Sequence, residues 1–131
     1  YYLRLKSAKV LPRNVYDVVD VKPMFPGGDA ECMAYVARNM KYPSECLKNG
    51  VTGRVFCSFV IDTDGSLCRI EAGEKSYAQA VDGSPAPKEM LRLFVDEAFR
   101  VISGMPKWTP GQKDGKAVPV RYVLPFTFRL Q

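Results

Sequence analysis

The C-terminal stretch Ala117-Val-Pro-Val-Arg-Tyr-Val-Leu-Pro-Phe-Thr-Phe-Arg-Leu-Gln131 decides the fold of this chain. Apolar residues occupy every second position, which is the pattern of a long β-strand with one buried face. They are Val118, Val120, Tyr122, Leu124, Phe126, Phe128 and Leu130. The stretch therefore predicts one strand whose even-numbered side chains lie in the core.

Two prolines, Pro119 and Pro125, lie on the odd-numbered face of this strand. Because backbone N–H groups point alternately to the two sides of a strand, both prolines remove donors from the same edge. We therefore expect an edge strand whose open side still offers the backbone groups of Arg121 and Val123. The prolines have two possible roles. They either prevent aggregation through this edge, or they leave an edge to which a partner strand binds. A β-bulge between them would reverse the parity.

Composition and charge restrict the class of protein. At 131 residues, 47% hydrophobic and 25% charged, the chain suits one globular domain with a real core. The net charge is +5, but basic residues cluster only at the start, between Arg4 and Arg13. No clustered basic face with base-reading side chains is present, so we expect no nucleic-acid partner. Residues 1–14 are predicted to form an arm or linker, and residues 15–131 the domain.

The four cysteines fit neither a CxxC motif nor zinc-ligand spacing. Cys57 falls at a core position of a predicted strand, where it is expected to act as a small hydrophobic residue. We expect buried free thiols, and the count does not decide the redox compartment.

Between the arm and the last strand, the pattern predicts alternating helices and strands. Val15–Val21 alternates weakly and is a candidate short strand. Asp29 suits the N-cap of a helix ending near Asn39, with Met33, Val36, Ala37 and Met40 predicted inward. Pro43 opens a short helix that Asn49-Gly50 closes.

A hairpin and the main helix follow. Gly53–Asp62 is apolar on parts of both faces, as expected of a central strand, and Asp62-Thr-Asp-Gly65 turns it into a second strand, Leu67–Ala72. Glu74–Pro87 is predicted to be a loop. After Pro87, apolar residues recur at three-four spacing up to Ile102, which predicts an amphipathic helix stopped by Gly104 and Pro106. Trp108, between two prolines, is interpreted as a plug at the end of the core.

No residue pattern indicates catalysis or a metal site. The chain has no histidine, which removes the usual base of a nucleophile pair and the commonest metal ligand. The Asp62–Gly65 turn lacks the spacing of a calcium loop. The glycine pairs lack the lysine and spacing of a phosphate loop. We therefore expect no enzyme activity, no metal and no cofactor.

A series of motifs in order along the chain resembles a known family, the C-terminal domain of the periplasmic energy transducer TonB. The motifs are Phe25-Pro-Gly-Gly28, Lys41-Tyr-Pro43, Gly53-Arg-Val55, Phe59-Val-Ile-Asp-Thr-Asp-Gly65, Met105-Pro-Lys-Trp-Thr-Pro-Gly111, Gly115-Lys116 and Tyr122-Val-Leu-Pro-Phe-Thr-Phe128. The resemblance runs from about Val18 to Leu130. The Phe-Pro-Gly-Gly and Met-Pro-Lys-Trp versions are similar to the branch found in bacteria of the Bacteroides type.

This resemblance implies an α+β fold: two helices packed on a three-stranded antiparallel sheet, with the last strand at the edge. It implies a periplasmic, non-enzymatic domain anchored to the inner membrane through an N-terminal part, where the proton-motive complex acts. It further implies that the edge strand captures the TonB-box peptide of an outer-membrane transporter by strand addition, or β-augmentation. Peptidoglycan binding and homodimerisation stay open.

Carried over by position, the resemblance implies a set of partner-binding residues on the last strand and just before the Tyr-Pro motif. They are Val118, Pro119, Val120, Arg121, Tyr122, Val123, Leu124, Pro125 and Phe126, together with Arg38, Asn39, Met40 and Lys41. The Glu74–Pro87 loop is longer than in compact members. An alternative interpretation is a sensory or cell-wall-binding periplasmic domain of a larger membrane receptor or sensor peptidase that uses the same sheet.

Overall fold

The computed structural model describes residues 3–4 and 14–130 and has the predicted α+β architecture. Its helices are α1 (Asp29–Asn39), α2 (Ser44–Lys48) and α3 (Lys88–Ser103). Its strands are β1 (Leu3–Arg4), β2 (Thr52–Ile61), β3 (Leu67–Ala72), β4 (Tyr77–Gln79), β5 (Gly111–Lys113), β6 (Lys116–Val118) and β7 (Val120–Phe128). None of the helices in the described part of the chain is long and apolar enough to cross a membrane.

The main sheet is antiparallel and is centred on β2. On one side β2 pairs with β7 over its whole length, from Gly53 opposite Phe128 to Ile61 opposite Val120. On the other side β2 pairs with β3 near its C-terminal end and with the short β4 near its start. Beyond β3 lies β1, so the order across the sheet is β7, β2, β3, β1. The three long strands correspond to the predicted sheet, and β1 and β4 are additions to it.

Side chains on one face of the sheet build the core. The odd-numbered residues of β2 from Val55 to Ile61 are fully buried, and so are Phe126 and Phe128 of β7. The main helix α3 lies over this face and contributes Phe94, whose ring stacks on Phe128 with 4.3 Å between centroids. The alternation in β7 therefore does what the sequence predicted, since it directs one face into the core.

The chain between residues 14 and 24 is less regular than predicted. Val15–Val21 forms no strand and makes only isolated bridges, with Tyr16 beside Val120 and Val21 beside Gln112. The predicted single strand from Ala117 is also wrong, because Pro119 separates β6, which pairs with β5, from β7. Leu3–Arg4, inside the predicted arm, pairs with β3, and the rest of that arm lies outside the described residues.

The predicted orientation of α1 is wrong in part. Cys32 and Val36 are its buried residues, whereas Met33 is 55% exposed and Ala37 is also exposed. The buried side is thus displaced by roughly 70° from the predicted one, and Val36 belongs to both. Gly28 immediately before it adopts φ 96°, a left-handed conformation that glycine tolerates better than other residues.

All four cysteines are buried free thiols, as predicted. Burial is the main reason why the pKa of the Cys57 thiol rises to about 12. Burial and, secondarily, the Asp29 carboxylate raise the pKa of Cys32 to about 11. Since the thiolate is the reactive form, the fold protects both residues by limiting access and by keeping them protonated.

We expect Phe126→Ala to destabilise the domain by about 3–5 kcal/mol, because it leaves a cavity under the sheet. Urea unfolding followed by circular dichroism measures this. Thr127→Ala, at an exposed position one residue further on, is the control and should change stability by less than about 0.5 kcal/mol. Equal midpoints for the two variants would mean that the even-numbered face of β7 is not in the core.

We also expect slow thiol labelling. In the native domain at pH 8 an aromatic disulfide reagent should label the cysteines far more slowly than in guanidinium, where all four are accessible. Fast labelling of the native protein at the unfolded rate would contradict the burial of these thiols.

Candidate partner-binding edge

Strand β7 lies at an edge of the sheet over most of its length. Its pairing with β2 continues without a register shift from Val120 to Phe128. The bulge that would have reversed the parity of the prolines is therefore absent from this pairing. Along Val123–Phe128, no strand in the described part of the chain pairs with the opposite side of β7.

A single hydrogen bond fixes which backbone groups face this open side. The Arg121 N–H donates to the Tyr16 carbonyl at 3.0 Å, away from β2. Because the direction alternates along a regular strand, the N–H groups of Val123 and Thr127 point the same way. Pro125 contributes a carbonyl but no donor. The predicted parity, with odd-numbered groups on the open side, is confirmed at Arg121.

The open side begins later than predicted. Tyr16 occupies its first part, because its N–H donates to the Pro119 carbonyl at 2.9 Å while its carbonyl accepts from Arg121. Asp17 adds an ion pair to the Arg121 guanidinium at 3.3 Å. Residues 119–121 are thus already paired with the chain's own segment. The backbone left open runs from Val123 to Thr127, and we call it the open edge.

A cavity of about 540 Å³ lies where the Tyr16 segment leaves β7. It is lined by residues 17–19, 22–24 and 120–123 together with Asp29. The cavity is continuous with the Val123 end of the open edge.

The predicted binding residues of β7 divide into two classes. Side chains of Val120, Leu124 and Phe126 are buried in or beside the core, and Tyr122 is partly buried. The Val123 side chain is 56% exposed and that of Arg121 is also exposed, while Pro125 is half-buried. Val118 lies in β6 and pairs with Gly111, away from the open edge. Thr127 is an exposed residue of the same parity as Val123, and the predicted set did not include it.

The other predicted group, Arg38–Lys41, is held against α3. Arg100 donates from Nη2 to the Asn39 carbonyl at 2.6 Å, and the Lys41 N–H donates to the Glu97 carboxylate. Partial burial alone would raise the pKa of Glu97, but hydrogen bonds from Arg100 and Lys41 lower it below its usual value. The Met40 N–H donates to the Val36 carbonyl.

In this group only the side chains of Arg38 and Lys41 are exposed. The Arg38 guanidinium lies 3.5 Å from the Glu31 carboxylate on the surface of α1. Asn39 uses its side-chain amide to donate to the Tyr35 carbonyl at 2.8 Å. A partner could therefore meet this segment through the Arg38 and Lys41 side chains, since the backbone groups of Asn39, Met40 and Lys41 described above are already bonded.

Trp108 is a plug, as predicted, and lies inside the core next to β7. It is 3% exposed and makes ring contacts with Phe25, Phe59 and Tyr122, the shortest being 5.0 Å between centroids to Tyr122. Its backbone N–H donates to the Gly65 carbonyl, so it also joins the hairpin turn to the segment that leads into β5. The indole Nε1 has no hydrogen-bond partner among the described residues.

Comparison with known families gives the identity of the domain. Residues 38–130, most of the chain, match the family model described as Gram-negative bacterial TonB protein C-terminal. The chain belongs to this family. No curated protein matches the sequence.

TonB C-terminal domains are periplasmic, non-enzymatic interaction domains that act with outer-membrane transporters. The matched region begins at Arg38. Tyr16, which covers the start of β7, and most of α1 therefore lie before the part that the family model describes.

We expect Trp108→Ala to lower the thermal stability of the domain, because it removes a large buried ring from contact with three aromatic neighbours. The fraction that stays folded should bind a partner peptide as the wild type does. Intrinsic fluorescence tests the placement, since this is the only tryptophan. Blue-shifted emission that peptide leaves unchanged is expected, and red-shifted emission that moves on peptide addition would place Trp108 at the binding site.

Proposed function

We propose that this domain binds the TonB box of an outer-membrane transporter as an added strand on the open edge and transmits force to it from the inner membrane. The observation that carries the proposal is the direction of the Arg121 N–H, which places the donors of Val123 and Thr127 on the unpaired side of β7. An extended peptide is the ligand that matches such a row of backbone groups.

The energetics favour weak and reversible capture. The open edge offers two N–H donors and the carbonyls of Val123, Pro125 and Thr127. Each main-chain hydrogen bond stabilises a complex by about 0.5–1.5 kcal/mol net, and part of this is offset by ordering the peptide. We expect dissociation constants in roughly the micromolar range.

The sheet suits a role in pulling. A strand bound to β7 is joined through an uninterrupted ladder to β2, the central strand, and from there to β3. Tension along the bound strand would load several hydrogen bonds together instead of one after another. In this proposal the proton-motive complex acts through an inner-membrane anchor N-terminal to the domain. The versions of the motifs at Phe25–Gly28 and Met105–Trp108 favour the Bacteroides-type branch.

Val123→Pro tests the proposal, because it removes one donor from the open edge and leaves the even-numbered face unchanged. We expect binding of a TonB-box peptide, measured by calorimetry, to weaken about three- to tenfold, the effect of one lost hydrogen bond. Val123→Ala keeps the N–H and is the matched control. Melting curves of both variants establish that they are folded.

A second measurement leaves the protein unchanged. Two versions of the same peptide, N-methylated at alternate residues of opposite parity, differ only in which backbone N–H groups remain. One version should lose binding and the other should retain it, since only every second residue of an added strand donates to β7. Strand addition at this edge would be refuted by two results together. Val123→Pro and Val123→Ala would bind the peptide equally, and the two methylated peptides would bind the wild type equally.

A further inference from the structure

The exposed flank of α1 is apolar and is not explained by the fold. Met33 and Ala37 are one turn apart and follow each other along this flank. Both are exposed, although the helix has a well-defined buried side at Cys32 and Val36. A methionine with more than half of its surface in water contributes little to the stability of the free domain.

The start of α1 and the segment after its end lie near opposite ends of β7. Asp29, the first residue of α1, lines the same cavity as Tyr122 and Val123. Beyond the other end of the helix, the Tyr42 ring packs edge-on to Phe128 at 5.9 Å. The six-residue rise from Tyr122 to Phe128 is about 20 Å. Helix α1 rises about 15 Å from Asp29 to Asn39, and three extended residues then lead to Tyr42. The helix and the segment after it therefore connect the two ends of β7.

Geometry assigns the Met33 flank to the side of the open edge. Tyr35 lies on the flank that faces α3, because its hydroxyl lies beside Gly104 at the end of α3 and its ring contacts Phe25. Arg100 of α3 also reaches Asn39 at the end of α1. At about 100° per residue, Met33 and Tyr35 project from opposite flanks of the buried side. Because α3 contacts β2, β3 and β4, and β7 lies on the other side of β2, the Met33 flank faces the β7 side of the sheet.

A strand added to β7 would lie beneath this flank. Strands in a sheet are about 4.8 Å apart, whereas a helix with its side chains is about 10–12 Å wide. A helix on the β7 side of the sheet is therefore wide enough to reach over the next strand position. Side chains that the added strand directs to the inner face would meet Met33 and Ala37.

We propose that Met33 and Ala37 form an apolar wall that recognises the inward-facing side chains of the captured strand. The occupant is an extended segment of an outer-membrane transporter with apolar residues at alternate positions. This inference rests on the proposed function and adds to it a source of sequence preference. Main-chain bonds along the open edge bind any extended peptide, whereas the wall selects for apolar side chains on one face.

The test compares Met33→Lys with Leu47→Lys. Leu47, on α2, is 54% exposed and so matches Met33 in exposure, but it lies on a different helix. With a capped TonB-box peptide in calorimetry, Met33→Lys should weaken binding about tenfold, because a charge replaces an apolar contact. Leu47→Lys and the conservative Met33→Leu should bind within about twofold of the wild type.

A series of peptides with an added negative charge tests whether the residue at position 33 contacts the peptide directly. Each peptide of the series has one inward-facing apolar residue replaced by Glu. One replacement should weaken binding to the wild type and restore affinity for Met33→Lys, which a merely structural effect of the lysine would not do.

If Met33→Lys and Leu47→Lys bind the peptide with equal affinity while Val123→Pro binds it more weakly, the apolar wall is refuted. The proposal that the peptide pairs with the open edge would then still stand. Unimpaired binding by Val123→Pro together with equal binding of the N-methylated peptides would overturn both proposals.

Discussion

The antiparallel pairing of β2 with β7 is the constraint on which the rest of the molecule depends. It runs from Gly53–Phe128 to Ile61–Val120 without a register shift, so each residue of β7 has an assigned face and an assigned edge. A slip of one residue would place Leu124, Phe126 and Phe128 in water and Arg121 in the core. The same register turns Val123 and Thr127 outward. Core formation and the open edge are thus two consequences of one alternation.

The length of the open edge is set by contacts outside the sheet. Tyr16 pairs with Pro119 and Arg121 and so covers the first part of β7. The segment that carries Tyr16 is held in turn at Met24, which exchanges hydrogen bonds with Thr109 beside the buried Trp108. A Cβ at Gly65 would lie 2.0 Å from the Trp108 carbonyl, and φ is 86° there, so this close approach requires glycine. The plug, the turn and the covering segment therefore form one connected support for the start of β7.

The residues that build the core and the residues proposed to bind a partner lie on different faces of the same elements. In β7, even-numbered residues stabilise the fold and odd-numbered residues remain accessible. In α1, Cys32 and Val36 stabilise the fold while Met33 and Ala37 stay exposed. This division leaves apolar side chains exposed on α1 and one side of β7 unpaired without opening the core. The prolines keep the donors on that edge few, which limits pairing with other edges.

Local rules in the sequence determined the strands β2, β3 and β7, the helix α3, the turn at Asp62–Gly65 and the parity of the open edge. Each depends on alternation, helical spacing or proline and glycine geometry, which neighbouring residues alone define. The orientation of α1 was not determined in this way. Residues 32–37 are Cys, Met, Ala, Tyr, Val and Ala, so a helix there has apolar side chains on almost every flank, and spacing does not choose one.

Only the tertiary structure decided which flank is buried, since Tyr35 fits against Phe25 and the end of α3 and thereby leaves Met33 outside. It also decided where the open edge begins, because the bridge between Tyr16 and β7 joins residues about a hundred positions apart and no local pattern encodes such a contact.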